Sequence, residues 1–165
     1  MRHHERVRAI VLVNPFYRLD QLPWILRRTY RRPTLNALFI GLTPEWVFRG
    51  VVNFTNAVLG QNGDSDLALP EHVRNQTALD YKRTDPGAFN LPNTVRDLTL
   101  SLSLVPQPTL LLWGDRDQTL SPDSFPSLLR ALPNARGCPI PGGHVPHQSN
   151  PAEFNRLVLE FLTSI

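Results

Sequence analysis

The chain has 165 residues, 41% of them apolar and 19% charged, with a formal net charge of +3; that is enough for one domain with a sizeable core and excludes wholesale disorder. Lys82 is the only lysine among 17 basic side chains and there are 16 prolines, a bias that a GC-rich coding sequence gives, so the positive charge alone does not point to nucleic acid. Cys138, the single cysteine, excludes an intrachain disulfide and a thiolate metal site, and no apolar run is long enough to span a membrane.

In chain order, Val7 to Val13 (VRAIVLV) predicts a strand; its β-branched, almost wholly apolar run suits a parallel sheet covered by helices on both faces. The run is too short for a secretory signal with a cleavage site, so a cytoplasmic protein is expected and the sequons at Asn53 and Asn75 are read as chance matches. Arg27, Arg28, Arg31 and Arg32 lie beside Trp24, Ile25, Leu26 and Tyr30 and read as the wet face of a short helix, not a phosphate-tracking groove.

From Pro15 to Val105 the pattern is helical and punctuated. Thr43-Pro44 starts a helix expected to run to Leu59 and stop at Gly60, with Trp46, Val47, Val51, Phe54 and Val58 on its apolar stripe. Gln61 to Ala68 reads as a loop. Pro70 opens a second helix through Arg83, Asp85-Pro86 a short third, and Asn93 caps a fourth reaching Leu98.

The last third is a βαβ unit. Thr109 to Trp113 (TLLLW) is a buried strand, Ser121-Pro122 starts a helix that ends before Pro133, and Arg136 to Ile140 is a second strand parallel to the first. Asn150-Pro151-Ala152-Glu153 matches a capping box, and Phe154, Leu157, Val158, Phe161 and Leu162 fall on one face of the closing helix.

Parallel sheets build sites at the carboxyl ends of their strands. Two loops leave such ends here: Gly-Asp-Arg-Asp (114–117) and Pro-Gly-Gly-His-Val-Pro-His (141–147). A carboxylate accepting Nδ1–H from a histidine fixes its tautomer and stabilises the imidazolium formed when Nε2 takes a proton. Either aspartate and either histidine remain open on spacing alone.

The strings PTLLLWGDRDQTLSP and LPNARGCPIPGGHVPHQSNPAEFNRLVLEFL resemble the closing part of cap-containing α/β-hydrolases. The resemblance implies a partial α/β-hydrolase fold, with strands equivalent to the sixth, seventh and eighth in residues 1–14 and 106–165, and a helical cap over 15–105. It places the catalytic acid three residues after the Gly that ends the seventh strand, on Asp117, and the base after Gly-Gly, on His144. Asp115 then points away from the histidine, His147 is structural and Cys138 is a small core residue. Trp24, Tyr30, Trp46 and Tyr81 are candidates for the substrate pocket.

One part of that machinery is missing. No Gly-x-Ser-x-Gly elbow occurs in these residues, so the family's nucleophile (serine, aspartate or cysteine) is not in the chain. Alone, the chain is expected to be inactive, with its first strand left as a bare sheet edge. Either the sequence is a fragment, as from an internal start, or a short protein that pairs with a complementary half or with itself. Two functions compete: a hydrolase for esters or related bonds in a small, partly apolar substrate, and a non-catalytic ligand- or partner-binding module. Neither calls for a cofactor, metal, nucleic acid or membrane.

Overall fold

The computed structural model describes residues 4–24, 27–28, 31–54, 69–85, 88 and 91–165. Among them, three parallel strands lie in the order β1 (Ile10–Val13), β2 (Thr109–Gly114) and β3 (Ala135–Ile140). Val11 pairs with Leu110, and Leu111 with Gly137. Between β1 and β2 come α1 (Pro33–Leu42), α2 (Glu45–Phe54), α3 (Glu71–Arg83) and two short turns of helix, α4 (Leu91–Thr94) and α5 (Thr99–Leu102). Helix α6 (Phe125–Ala131) joins β2 to β3, and α7 (Pro146–Ser149) and α8 (Pro151–Thr163) close the chain.

Alternation along β2 sets the layers, because successive side chains of a strand leave on opposite faces. Leu111 and Trp113 pack with Phe125 and Leu128 of α6, joined by Tyr17, Leu22, Leu102, Leu120 and Leu132. Leu110 and Leu112 meet Ile140 and Phe161 of α8 on the other side. All of β2 is buried, as a strand with a neighbour on each edge and a helix on each face must be. In the helical stretch, Arg74 of α3 donates to Asn53 of α2 at 2.8 Å, and Lys82 donates to the carbonyls of Gly41 and Thr43 at 2.7 and 2.9 Å, where α1 ends. Arg27, Arg28, Arg31 and Arg32 are exposed. Among the described residues no helix is long and apolar enough to cross a membrane.

Several sequence expectations are corrected. The first strand starts at Ile10, with Val7 left 37% exposed, and it is half-buried throughout because it borders one strand only among the described residues. The helix marked by Thr43-Pro44 forms, as α2 from Glu45, while the Thr43 hydroxyl donates back to the Phe39 carbonyl at 2.6 Å and finishes α1, a helix the sequence reading did not separate from its surroundings. The expected end of α2 near Leu59 and Gly60, the loop at 61–68 and most of the short helix at Asp85-Pro86 lie outside the described residues. Asn93 sits inside α4, and residues 95–98 are not helical. The next helix starts at Thr99 behind Leu98, and the Asp97 carboxylate just before it accepts the Thr99 N–H at 2.8 Å. A bond from the Thr99 hydroxyl, together with that backbone bond, holds the Asp97 carboxyl below its ordinary range.

Ser121 makes no side-chain cap; Pro122–Ser124 forms a 3-10 turn that leads into α6. The capping box at α8 does not form. Asn150 makes no side-chain bond there, and Glu153 grips Arg156 at 2.6 and 2.8 Å, which holds the Glu153 carboxyl low. Phe154, Leu157, Val158 and Phe161 dock on the sheet as expected, but Leu162, at the margin of that stripe, is 48% exposed.

Candidate active site

The two loops at the sheet's carboxyl edge are fastened to each other beyond the strands. The Asp115 N–H donates to the Ile140 carbonyl at 3.1 Å and the Arg116 N–H to the Gly142 carbonyl at 3.0 Å. Oδ1 of Asp115 accepts the Gly142 N–H at 3.0 Å. Glycine is required twice. Gly142 has φ of 146°, and a Cβ on Gly114 would stand 1.9 Å from the Gly143 carbonyl oxygen. The close approach of the loops is therefore written into backbone that has no side chain to obstruct it.

Asp117 follows in this loop, with its side chain fully buried. One oxygen, Oδ1, accepts the N–H groups of Thr119 and Leu120 at 2.7 and 3.0 Å, a turn that locks the carboxylate in place. The other, Oδ2, stands 2.8 Å from Nδ1 of His144. An ionised carboxylate can only accept; paired with a neutral ring it would hold the proton on Nδ1 and leave the Nε2 lone pair open. The imidazole is 42% exposed. One wall of the pair is dry and the other open, which suits a base that must exchange protons with something outside.

Of the rival residues, Asp115 is spent on the Gly142 backbone, and His147 is exposed with its ring 5.8 Å from that of Phe154. Cys138 lies half-buried against the α8 side of the core, where desolvation pushes its thiol up and away from the thiolate. Among the described residues, no hydroxyl or thiol is hydrogen-bonded to the imidazole, and no group of three or more His, Cys, Asp and Glu stands together to hold a metal ion.

A family model described as "Alpha/beta hydrolase family" matches residues 1–157. The chain belongs to the alpha/beta hydrolase family. Solved members share its architecture. A thermophilic esterase from Thermogutta terrifontis is 18% identical with a TM-score of 0.74, the match covering 98% of this chain and 58% of that one. An enol-lactonase from Burkholderia xenovorans is 19% identical with a TM-score of 0.69, over 98% of this chain and 58% of that one. A membrane phospholipase A described as a bacterial virulence factor is 24% identical with a TM-score of 0.70, over 99% and 51%. At these identities the likeness is one of fold. The chain spans between half and three-fifths of the length of these three hydrolases.

Within this alpha/beta hydrolase sheet, Asp117 and His144 are brought together, and the other site candidates among the described residues are not tied to them. Trp24, Trp46 and Tyr81 are 68%, 73% and 51% exposed, and Tyr30 lies outside the described residues. Two supporting residues escaped the sequence reading. Gln21, 1% exposed, accepts the Tyr17 and Arg18 N–H groups and donates to Pro15 and Ser124, tying the segment after β1 to the one after the Asp117 loop. Asn14, at the end of β1, bonds to both strand ends of the site. The sequence offers one signal for Asn14, a polar residue closing an apolar strand at the edge where sites form. Nothing in the sequence marked Gln21.

Proposed function

We propose that this chain carries the acid and base of a hydrolase that cleaves an ester or related bond in a small, partly apolar substrate, and that the nucleophile they serve lies outside these residues. The observation that carries the reading is the 2.8 Å contact between the buried Asp117 carboxylate and Nδ1 of His144. In this reading Asp117 orients the ring and balances the charge it gains. His144 takes a proton at Nε2 from the attacking hydroxyl, or from the water that releases a covalent intermediate, and returns it to the leaving group. The family match and the esterase and lactonase among its structural neighbours support hydrolysis over a purely binding role.

The reading divides the chain into a sheet portion, 1–14 and 106–165, and a lid, 15–105, whose exposed Trp24, Trp46 and Tyr81 are candidates for the substrate wall. It also makes the 165-residue chain alone inert, since an acid–base pair without nucleophile or oxyanion donors retains little transition-state stabilisation. The test is hydrolysis of short-chain aryl esters by the chain alone and by the chain joined to an elbow-bearing N-terminal segment. Turnover is expected only in the second, and His144→Ala should bring it to background. Undiminished turnover in His144→Ala ends the assignment.

A further inference from the structure

The residue that ends β1 makes more contacts with the proposed centre than a turn residue needs. Asn14 is 6% exposed and has φ of 40°, the one non-glycine residue in left-handed backbone among the described residues. Its own N–H donates to the Leu112 carbonyl at 3.0 Å, extending the β1–β2 ladder by one bond. Its carboxamide then reaches both sides of the site. Oδ1 accepts the N–H of Gly114, three residues before Asp117, at 3.0 Å, and Nδ2 donates to the main-chain carbonyl of His144 itself.

We infer that Asn14 is a positioning residue for His144: its carboxamide ties the backbone of the histidine turn to the end of β2, and so sets the imidazole at bonding distance from Asp117. The residue type fits the task. Spanning the two loops takes one donor and one acceptor on the same short, planar group. The backbone must also tolerate positive φ, which asparagine does better than other side chains of that kind except aspartate. Aspartate lacks the donor, and glycine lacks both groups. The carbonyl of His144 is the point of attachment that matters, because no other residue fixes the main chain of the base from the β1 side among the described residues.

This inference rests on the Asp117–His144 pair as the reactive centre, and the experiment separates the two. The imidazole Nδ1–H of a histidine bonded to a carboxylate gives a downfield proton resonance, and ring nitrogen shifts report its tautomer. Both are measured on the full 165-residue chain and on Asn14→Gly and Asn14→Asp, each of which keeps the backbone conformation accessible. The wild type is expected to show the resonance. Both variants, with a folded amide spectrum, are expected to lose it to exchange broadening and to show mixed tautomers. A role confined to stability would lower the unfolding midpoint and leave the imidazole signal of the folded chain unchanged, and that result overturns the proposal. Absence of the signal in the wild type would count against the Asp117–His144 centre instead. Should neither variant fold, the wild-type carboxamide is read directly. Slowly exchanging Nδ2 protons with a contact to the His144 α-proton are expected, and rapid exchange without that contact overturns the assignment.

Discussion

Replacing Asp117 by asparagine and by alanine separates what the carboxylate does for the fold from what it does for the histidine. The carboxylate satisfies three donors: the Thr119 and Leu120 N–H groups and Nδ1 of His144. Alanine orphans all three. The imidazole is 42% exposed and can turn to water, but the two backbone groups sit against a buried side chain. At roughly 1–3 kcal/mol for each of these two orphaned donors, Asp117→Ala should lose about 2–6 kcal/mol. Asparagine keeps an acceptor for both backbone groups and gives up only their charge reinforcement, so Asp117→Asn should lose about 1 kcal/mol. Its NH2 then faces Nδ1, which can bond only as an acceptor; the ring proton moves to Nε2 and the base is lost. In the joined enzyme that tautomer change should cost on the order of 10⁴ in turnover. Urea unfolding followed by fluorescence of Trp113, 8% exposed and stacked 5.7 Å from Phe125, gives the stabilities. Equal losses for the two variants would refute the division of labour between Oδ1 and Oδ2, as would a full set of wild-type ring nitrogen shifts in Asp117→Asn.

Two further outcomes follow from the loops and the core. Gly114→Ala would place a methyl 1.9 Å from the Gly143 carbonyl oxygen, which is backbone and cannot rotate away. It should lower stability by about 1–3 kcal/mol and displace the histidine turn; urea unfolding and the His144 ring resonances check both, and a neutral substitution would contradict the close approach. Cys138, whose thiol is pushed up by burial, carries less thiolate at a given pH than a free cysteine, so alkylation by iodoacetamide at mild alkaline pH should be slower in the folded chain than in urea. An equal or faster rate in the folded chain would make it a reactive thiol after all.

Much of the sheet portion was legible in the residues because its signals are short-range and redundant. LLLW after Thr109 is apolar without a break, Pro133 follows the end of a helix, and glycines stand in both site loops. Asp117 and His144 could be named because parallel strands deliver their loops to one edge, though the choice of Asp117 over Asp115 came from the family resemblance. Capping was less legible. Glu153 matched a box by spacing, yet Arg156 stood one turn away and offered two bonds to a full charge. Thr43-Pro44 marked the start of α2 but not the end of α1, which the Thr43 hydroxyl finishes at the Phe39 carbonyl. Such local competitions are decided by rotamers, which spacing does not encode. Asn14 was hidden for another reason: its partners lie a hundred and more residues away, and only the assembled sheet brings them to it.

That separation has a kinetic meaning. β2, α6 and β3 are contiguous in sequence and can collapse among themselves, whereas pairing Val11 with Leu110 closes a loop of roughly a hundred residues, whose entropic cost must be met before any contact rewards it. Sequence separation therefore favours the β2–α6–β3 unit forming before β1 docks. Until it does, the histidine turn has its partner aspartate nearby but lacks its tether from Asn14, so partly assembled chains hold the ingredients of a base without its alignment. On this reasoning, ordering of the pair is coupled to the docking of β1.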